Sequence, residues 1–190
     1  MKRLVLVLGL VALTATAAGA AGTVVQDDYW NFSVKPEFKL TQLGGDTAGL
    51  AGIQMGPSIR NNFYLGLGWY GLINDVQFDD SKGKGELGVL DFWYAGFVAD
   101  YTFLPTEVVH GSIGALLGGG RVQADQSAGG SSRADVVVFE PGVNLLVNVA
   151  PNVEFGVGVA YRMVNGSDID GLGDSDLSGV AGSVFFRWTE

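Results

Sequence analysis

The stretch VEFGVGVAYRMV, residues 153–164, alternates strictly. Val153, Phe155, Val157, Val159, Tyr161 and Met163 form one parity; Glu154, Gly156, Gly158, Ala160, Arg162 and Val164 form the other. A period of two is the signature of a β-strand. A strand in water hides its apolar parity and shows ordinary polar residues. Here the second parity is mostly Gly and Ala with two isolated charges, a poor surface for water but suited to a crowded interior. The spacing therefore predicts a strand whose large apolar side chains face outward.

The pattern recurs along the chain. Alternating segments run near Trp30–Thr41, Ala48–Ser58, Phe63–Asn74, Gly88–Phe103, Val108–Val122, Asp135–Val149, Val153–Val164 and Leu177–Trp188. The chain is 47% hydrophobic and only 16% charged, yet past its first residues no run approaches the ~20 continuous apolar residues of a membrane helix. Outward apolar faces on strands fit hydrocarbon, where an unpaired peptide group costs several kcal/mol and strands must close on themselves. Tilted strands of about ten residues are long enough to cross.

Connections alternate in length. Asn61-Asn62, Leu104-Pro105-Thr106 and Ala150-Pro151-Asn152 read as tight turns, whereas Asn74–Leu87, Gln123–Ala134 and Asn165–Asp176 are longer and more polar. Short turns at one end and long loops at the other mark an outer-membrane barrel, with an even number of strands. The opening MKRLVLVLGLVALTATAAGA has Lys2 and Arg3, an apolar run Leu4–Leu13 and the small-residue close Ala18-Gly19-Ala20. That is a secretory signal cut near Ala20. The fold class read from these features is all-β: an eight-stranded antiparallel up-and-down transmembrane β-barrel over residues 21–190, after a signal peptide over 1–20. The expected location is the cell outer membrane.

Parity writes the outward faces. They include Trp30, Phe32, Val34, Pro36, Phe38 and Leu40 on the first strand, Phe63, Leu65, Leu67, Trp69 and Ile73 on the third, and Val180, Val184, Phe186 and Trp188 on the last. Trp30, Phe63, Phe103, Phe155 and Trp188 fall near the tight-turn end, where aromatic rings favour the membrane interface. The inward parity carries an expected ion-pair network of Lys35, Glu37, Lys39, Asp100, Glu140, Glu154, Arg162 and Arg187, with glycines between. Eight strands leave an interior that side chains fill, so the expected lumen is filled or narrow. Buried charges need partners, and Glu140 with Arg162 or Arg187 is the expected pairing.

Absence of cysteine excludes disulfides and thiolate chemistry, and a formal charge of −9 argues against nucleic acid. His110-Gly111-Ser112 resembles the H-x-S arrangement of outer-membrane lipid A deacylases, with Glu140 able to supply a carboxylate. However, His110 follows the turn at Pro105 and its parity points inward, so a structural histidine is the preferred reading. GLGWYG, residues 66–71, fits G-x-G-x-x-G but sits within a strand with no helix after it, and GALLGGGR, residues 114–121, lacks a P-loop ending. In GSDIDGLGDSDLSG, residues 166–179, Asp168, Asp170, Asp174 and Asp176 are spaced to wrap a hard cation, such as one bridging lipopolysaccharide phosphates; a solvated acidic loop is preferred. No cofactor is expected.

The closing strand, SVFFRWTE, resembles the aromatic C-terminal strand that the barrel assembly machinery reads, with Thr189 and Glu190 after the last aromatic. Between about Gly52 and Trp188, the stretches GPSIRNNFYLGLGWYGLIN, VVHGSIGALLGGGRV, FEPGVNLLVNVAPNVEFGVGVAYRMVNG and GDSDLSG resemble small outer-membrane β-barrel proteins of Gram-negative bacteria, the outer membrane protein beta-barrel domain. The resemblance implies export through the periplasm and a membrane barrel among outer-membrane lipid and lipopolysaccharide, and it supplies no established catalytic residues to carry over. The expected role is therefore non-enzymatic: structure, surface interaction or limited permeation. Two alternatives stand beside it, a lipid A-modifying enzyme and a secreted soluble barrel holding an apolar ligand.

Overall fold

The computed structural model describes residues 30–60, 62–79, 87–126, 130–169 and 171–190. The expected signal peptide lies outside the described residues, as does Asp170.

Nine strands are described: β1 (Trp30–Leu43), β2 (Asp46–Ile59), β3 (Phe63–Leu72), β4 (Val76–Asp79), β5 (Leu87–Phe103), β6 (Val109–Gln126), β7 (Gly130–Ala150), β8 (Val153–Asn165) and β9 (Gly179–Thr189). Pairing is antiparallel throughout. The sheet order runs β3-β2-β1-β9-β8-β7-β6-β5, and β3 also pairs with β5, which closes eight strands into a barrel. Short β4 pairs with the far end of β5, continuing the edge that β3 occupies, and buries Val76 in the core. The seam between first and last strands joins Ser33 to Thr189 and Phe38 to Val184, and continues as reciprocal backbone bonds between Phe32 and Glu190 at 3.0 and 2.9 Å.

Turn chemistry follows the residues present. β1 and β2 are joined by Gly44 and Gly45, with φ of 57° and 92°. A two-residue hairpin of this kind needs positive φ at both positions, which glycine adopts without strain. Arg60 and Leu104 take single left-handed conformations at the tight turns of the opposite end.

Two expectations about loops are corrected. The stretch 74–87 contains β4. The stretch 123–134 is mostly ladder, since Gln123 opposes Arg133 and Gln126 opposes Gly130. Strands with period-two polarity on both faces look like loop when only apolarity is counted. Leu177 does not begin the last strand either; it ends a helical turn, Asp174–Leu177, and is buried.

The outward parity matches expectation. Trp69, Phe97, Leu117, Val143, Val159 and Val180 are all exposed, Phe97 to 75%. From Val153 to Met163 the apolar face of β8 runs about 34 Å along the strand, or about 25 Å along the axis at the usual tilt, which matches a hydrocarbon band. Aromatic rings gather at the tight-turn end: Phe63 meets Tyr101 edge-on at 4.9 Å, Tyr101 meets Phe103 at 5.0 Å, and Phe155 meets Phe186 at 5.3 Å. Toward the other end the outward face turns polar at Gln42, Asp91, Arg121, Asp135 and Asn165. There Arg121 Nε donates to Asp135 at 2.8 Å, holding that carboxyl below its ordinary range.

Interior glycines let neighbouring strands come close. A Cβ on Gly118 would overlap the Ala95 carbonyl oxygen and crowd the Gly96 Cα, whereas one on Gly182 would meet nothing within 4 Å. Gly118→Ala is expected to lower the stability of the refolded barrel by about 1–3 kcal/mol, and Gly182→Ala to leave it unchanged. Urea unfolding in lipid vesicles, followed by tryptophan fluorescence, checks both.

Candidate functional site

The interior has three levels. Nearest the tight turns, His110 on β6 faces Glu154 on β8. His110 Nε2 lies 2.9 Å from Glu154 Oε1, and Nδ1 lies 3.1 Å from the Glu107 carbonyl oxygen. Arg187, opposite Glu154 on β9, donates to the other carboxylate oxygen. A small vestibule of about 60 Å³ opens here, lined by this Glu154–Arg187 pair and by Asn31, Ser58, Asn148 and Asn152.

Midway, Lys35, Glu37 and Lys39 alternate along β1 and all point inward. Glu37 accepts from Tyr70 and, at 3.0 Å, from Gln54 Nε2; Lys35 stands 3.7 Å away. Lys39 pairs with Glu140, and Tyr94 donates to the same carboxylate at 3.0 Å. The Lys39 ammonium sits over the Tyr70 ring, 3.6 Å from its centroid, and Tyr70 stacks on Tyr94 at 5.1 Å. Aromatic faces favour a cation that has been stripped of water. Asp100 accepts from Ser112 at 3.2 Å and Asn144 at 3.4 Å.

The third level, toward the long loops, is apolar. Leu43, Leu50, Phe92, Val122, Val138 and Val164 meet there, and Ile169, Leu172 and Leu177 from the connection between β8 and β9 close over them. Arg162 lies beneath, fully buried. Its Nε donates to the Leu177 carbonyl at 2.9 Å and its Nη2 to Thr41 at 3.3 Å, and the guanidinium carbon lies 5.6 Å from the Phe92 ring.

All eight residues of the expected network point inward, but their pairing differs from expectation. Glu140 pairs with Lys39 across the lumen, Arg187 with Glu154, and Arg162 with carbonyl and hydroxyl oxygens. Adjacency in the meander was the wrong guide, because a narrow closed cylinder lets β1 reach β7 directly. Tyr94 and the apolar level were missed. Inward parity on β5, between outward Trp93 and Ala95, is the signal that marks Tyr94.

The His–Ser–Glu arrangement is not assembled: His110 faces Glu154, Ser112 is held by Asp100 and Asn144, and Glu140 is held by Lys39 and Tyr94. In the acidic loop, Asp174 accepts from the Ser167 backbone N–H at 2.7 Å and Asp176 from that of Gly173 at 2.9 Å. These two carboxylates order the loop's own backbone. Asp168 is exposed, and no cluster of three His, Asp or Glu residues able to hold a metal occurs among the described residues.

Among solved structures, Neisserial surface protein A is similar to this chain at 16% identity and a TM-score of 0.60, over 85% of this chain and 97% of that one. The fold is that of an outer-membrane barrel. The attachment invasion locus protein of Yersinia pestis matches over 85% of this chain and 97% of its own at 14% identity and a TM-score of 0.49. A major outer membrane protein from Thermus thermophilus matches over 84% and 99% at 12% identity and a TM-score of 0.48. Neither a protein-family model nor a curated protein matches the sequence.

In this barrel the Lys39–Glu140 pair is buried on both sides, with side chains 4% and 3% exposed. Removing one partner of such a pair leaves an uncompensated charge, which costs about 3–5 kcal/mol. Lys39→Met is expected to destabilise by that amount, and the double variant with Glu140→Gln to recover more than half of it. Unfolding midpoints of the single and double variants in vesicles measure the coupling.

Proposed function

We propose that the chain is an integral outer-membrane protein with a filled lumen, serving structure or surface interaction, and without catalytic activity of its own. One observation carries this reading: a closed barrel exposes a continuous apolar wall between an aromatic girdle and a ring of charged and amide side chains. Such a wall is stable in hydrocarbon, and closure leaves no strand edge for lipid to face. The filled lumen is supported by Tyr70, Tyr94 and the Lys39–Glu140 pair spanning its middle, and by the apolar level above.

On this reading the tight turns and both described chain ends face the periplasm, and the β6–β7 hairpin and the 166–178 connection face outward. Residues 1–20 direct export, the barrel assembly machinery inserts the barrel through the aromatic closing strand, and lipopolysaccharide surrounds the outer half of the wall. Surface interaction belongs to the outer ends of β5, β6 and β7, which extend past the apolar band.

Two measurements test the proposal. Trp69, Trp93 and Trp188 are exposed on the wall, so brominated lipids are expected to quench most of the tryptophan emission of the refolded protein. Emission indifferent to brominated acyl chains would return the chain to the soluble-carrier class. In planar bilayers the protein is expected to add no steady single-channel steps. Reproducible steps would replace the filled lumen with an open one and leave the membrane reading intact.

A further inference from the structure

His110 is the chain's single histidine, and both of its ring nitrogens face oxygen acceptors. Nδ1 lies 3.1 Å from the Glu107 carbonyl oxygen and Nε2 lies 2.9 Å from Glu154 Oε1. A carbonyl oxygen cannot donate. Glu154 also accepts from Arg187, which keeps it ionised, so it does not donate either. A neutral imidazole has one N–H, and its bare nitrogen would set a lone pair against an oxygen at hydrogen-bond distance. Turning the ring over would put carbon atoms at both positions. The His110 side chain is fully buried, which leaves no face of the ring to bulk water.

Charge at this level points the same way. Arg187 on β9 pairs with Glu154 on β8 and also acts on Asp100 of β5. The lysines are used elsewhere: Lys35 stands with Glu37 and Lys39 with Glu140. Arg162 lies at the loop end, held to the Leu177 carbonyl and Thr41. Nearest the tight turns, one arginine therefore serves two carboxylates, and a proton on each His110 nitrogen supplies the second cation. From β7 the ring meets uncharged residues, Leu146 directly opposite and Asn148 beside the turn. Tyr64 on β3 lies near Arg187, Glu190 lines the vestibule, and the Glu107 carboxylate is exposed on the turn itself.

The two bonds join separate parts of the barrel. Glu107 belongs to the turn between β5 and β6, which also puts Pro105 in the vestibule wall, and Glu154 belongs to the β8–β9 pair. Asn148 on β7 also holds the turn. Its Nδ2 donates to the Glu107 carbonyl at 3.0 Å and its backbone N–H to the Val108 carbonyl at 2.9 Å. We propose that His110 is doubly protonated in the folded barrel and acts as a pH-sensitive clamp between the β5–β6 turn and the β8–β9 pair. When the imidazolium gives up one proton to water, the other stays with the charged acceptor, Glu154, because charge-assisted bonds are the stronger. The Glu107 link is lost and the turn is left to Asn148. The clamp's contribution to stability is complete while the ring is charged and disappears as pH rises through its deprotonation. The clamp goes beyond the surface role proposed above; only the compartment it senses, the periplasm, rests on the orientation given there.

A single histidine gives unambiguous ring signals. In the barrel labelled at histidine and refolded into nanodiscs, nitrogen chemical shifts report the protons directly. At about pH 7.5, where a free imidazole is mostly neutral, both ring nitrogens are expected to be protonated. A bare nitrogen at that pH overturns the proposal. Between about pH 6 and about pH 9 the thermal midpoint of the wild type is expected to fall by about 2–4 °C, and that of His110→Gln to show no such step. An equal fall in both proteins overturns the clamp. Should His110→Gln fail to fold, the wild type decides: the Glu107 and Val108 backbone amide signals are expected to move over the same pH span as the ring, and signals that hold still while the ring titrates overturn it.

Discussion

Closure of the backbone hydrogen-bond ladder is the constraint from which the rest follows. β1 meets β9 and β3 meets β5, so no barrel strand keeps a bare edge along the band. The seam is held to its last residue, with Phe32 and Glu190 exchanging both backbone bonds. With the strands paired side by side around the wall, interrupted where Pro36, Pro57 and Pro141 break the described registers, side chains decide which solvent each face meets. Apolar side chains such as Phe97 and Val159 can then point outward without exposing amide groups to lipid.

Turning the apolar residues outward leaves the interior to the polar ones, and a cylinder this narrow has little water to solvate them. Direct pairing across the lumen answers the problem. Glu140 reaches from β7 to Lys39 on β1, and Glu37 is gripped by a tyrosine from β3 and an amide from β2. Desolvation weighs heavily on such groups. Tyr70 and Tyr94 offset part of it by giving Lys39 a ring face and giving Glu37 and Glu140 hydroxyl donors. Long side chains fit only where the facing strand is bare. Gly52 lies under the Tyr70 ring and Gly156 under the Phe185 ring, and a Cβ at either position would overlap the ring. The glycine content of the strands is therefore coupled to the size of the residues that fill the lumen.

Much of this was legible in the sequence, because parity is a local property. Alternation placed eight barrel strands, their outward faces and the inward position of all eight network residues. Pairing was not legible, since the distance between Lys39 and Glu140 depends on closure and register, which no single strand encodes. Short β4 was hidden because four residues, Val76–Asp79, are too few to show a period, and the outer half of the β6–β7 hairpin because its residues lack the apolar contrast that marks the lipid-facing strands. The spacing of the Asp-rich connection left a cation site as the alternative to the preferred solvated loop; in the structure, Asp174 and Asp176 each give a carboxylate oxygen to the backbone N–H of Ser167 and Gly173.

The apolar level at the loop end follows from the same reasoning with the solvent changed. Along five strands, neighbouring residues mark a reversal: exposed Gln42 beside buried Leu43, Asp91 beside Phe92, Arg121 beside Val122, Asp135 beside Val136, and Asn165 beside Val164. Below these positions the wall is apolar outside, and the buried charges lie inside among apolar residues such as Val98, Leu116 and Phe185. Above them it is polar outside and apolar inside, as in a water-soluble barrel. The backbone continues unchanged through the boundary, so the inversion cannot come from the fold; it reflects a change in what surrounds the wall. Water bathes the upper section, and there the hydrophobic effect again drives side chains inward, with Ile169, Leu172 and Leu177 folding over the mouth. Arg162 sits at this junction, giving its N–H groups to the Leu177 carbonyl and to Thr41 and so tying the closing segment to the barrel beneath it. The ring of reversals locates the edge of the hydrocarbon from the chain's own residues, independently of any likeness to other barrels.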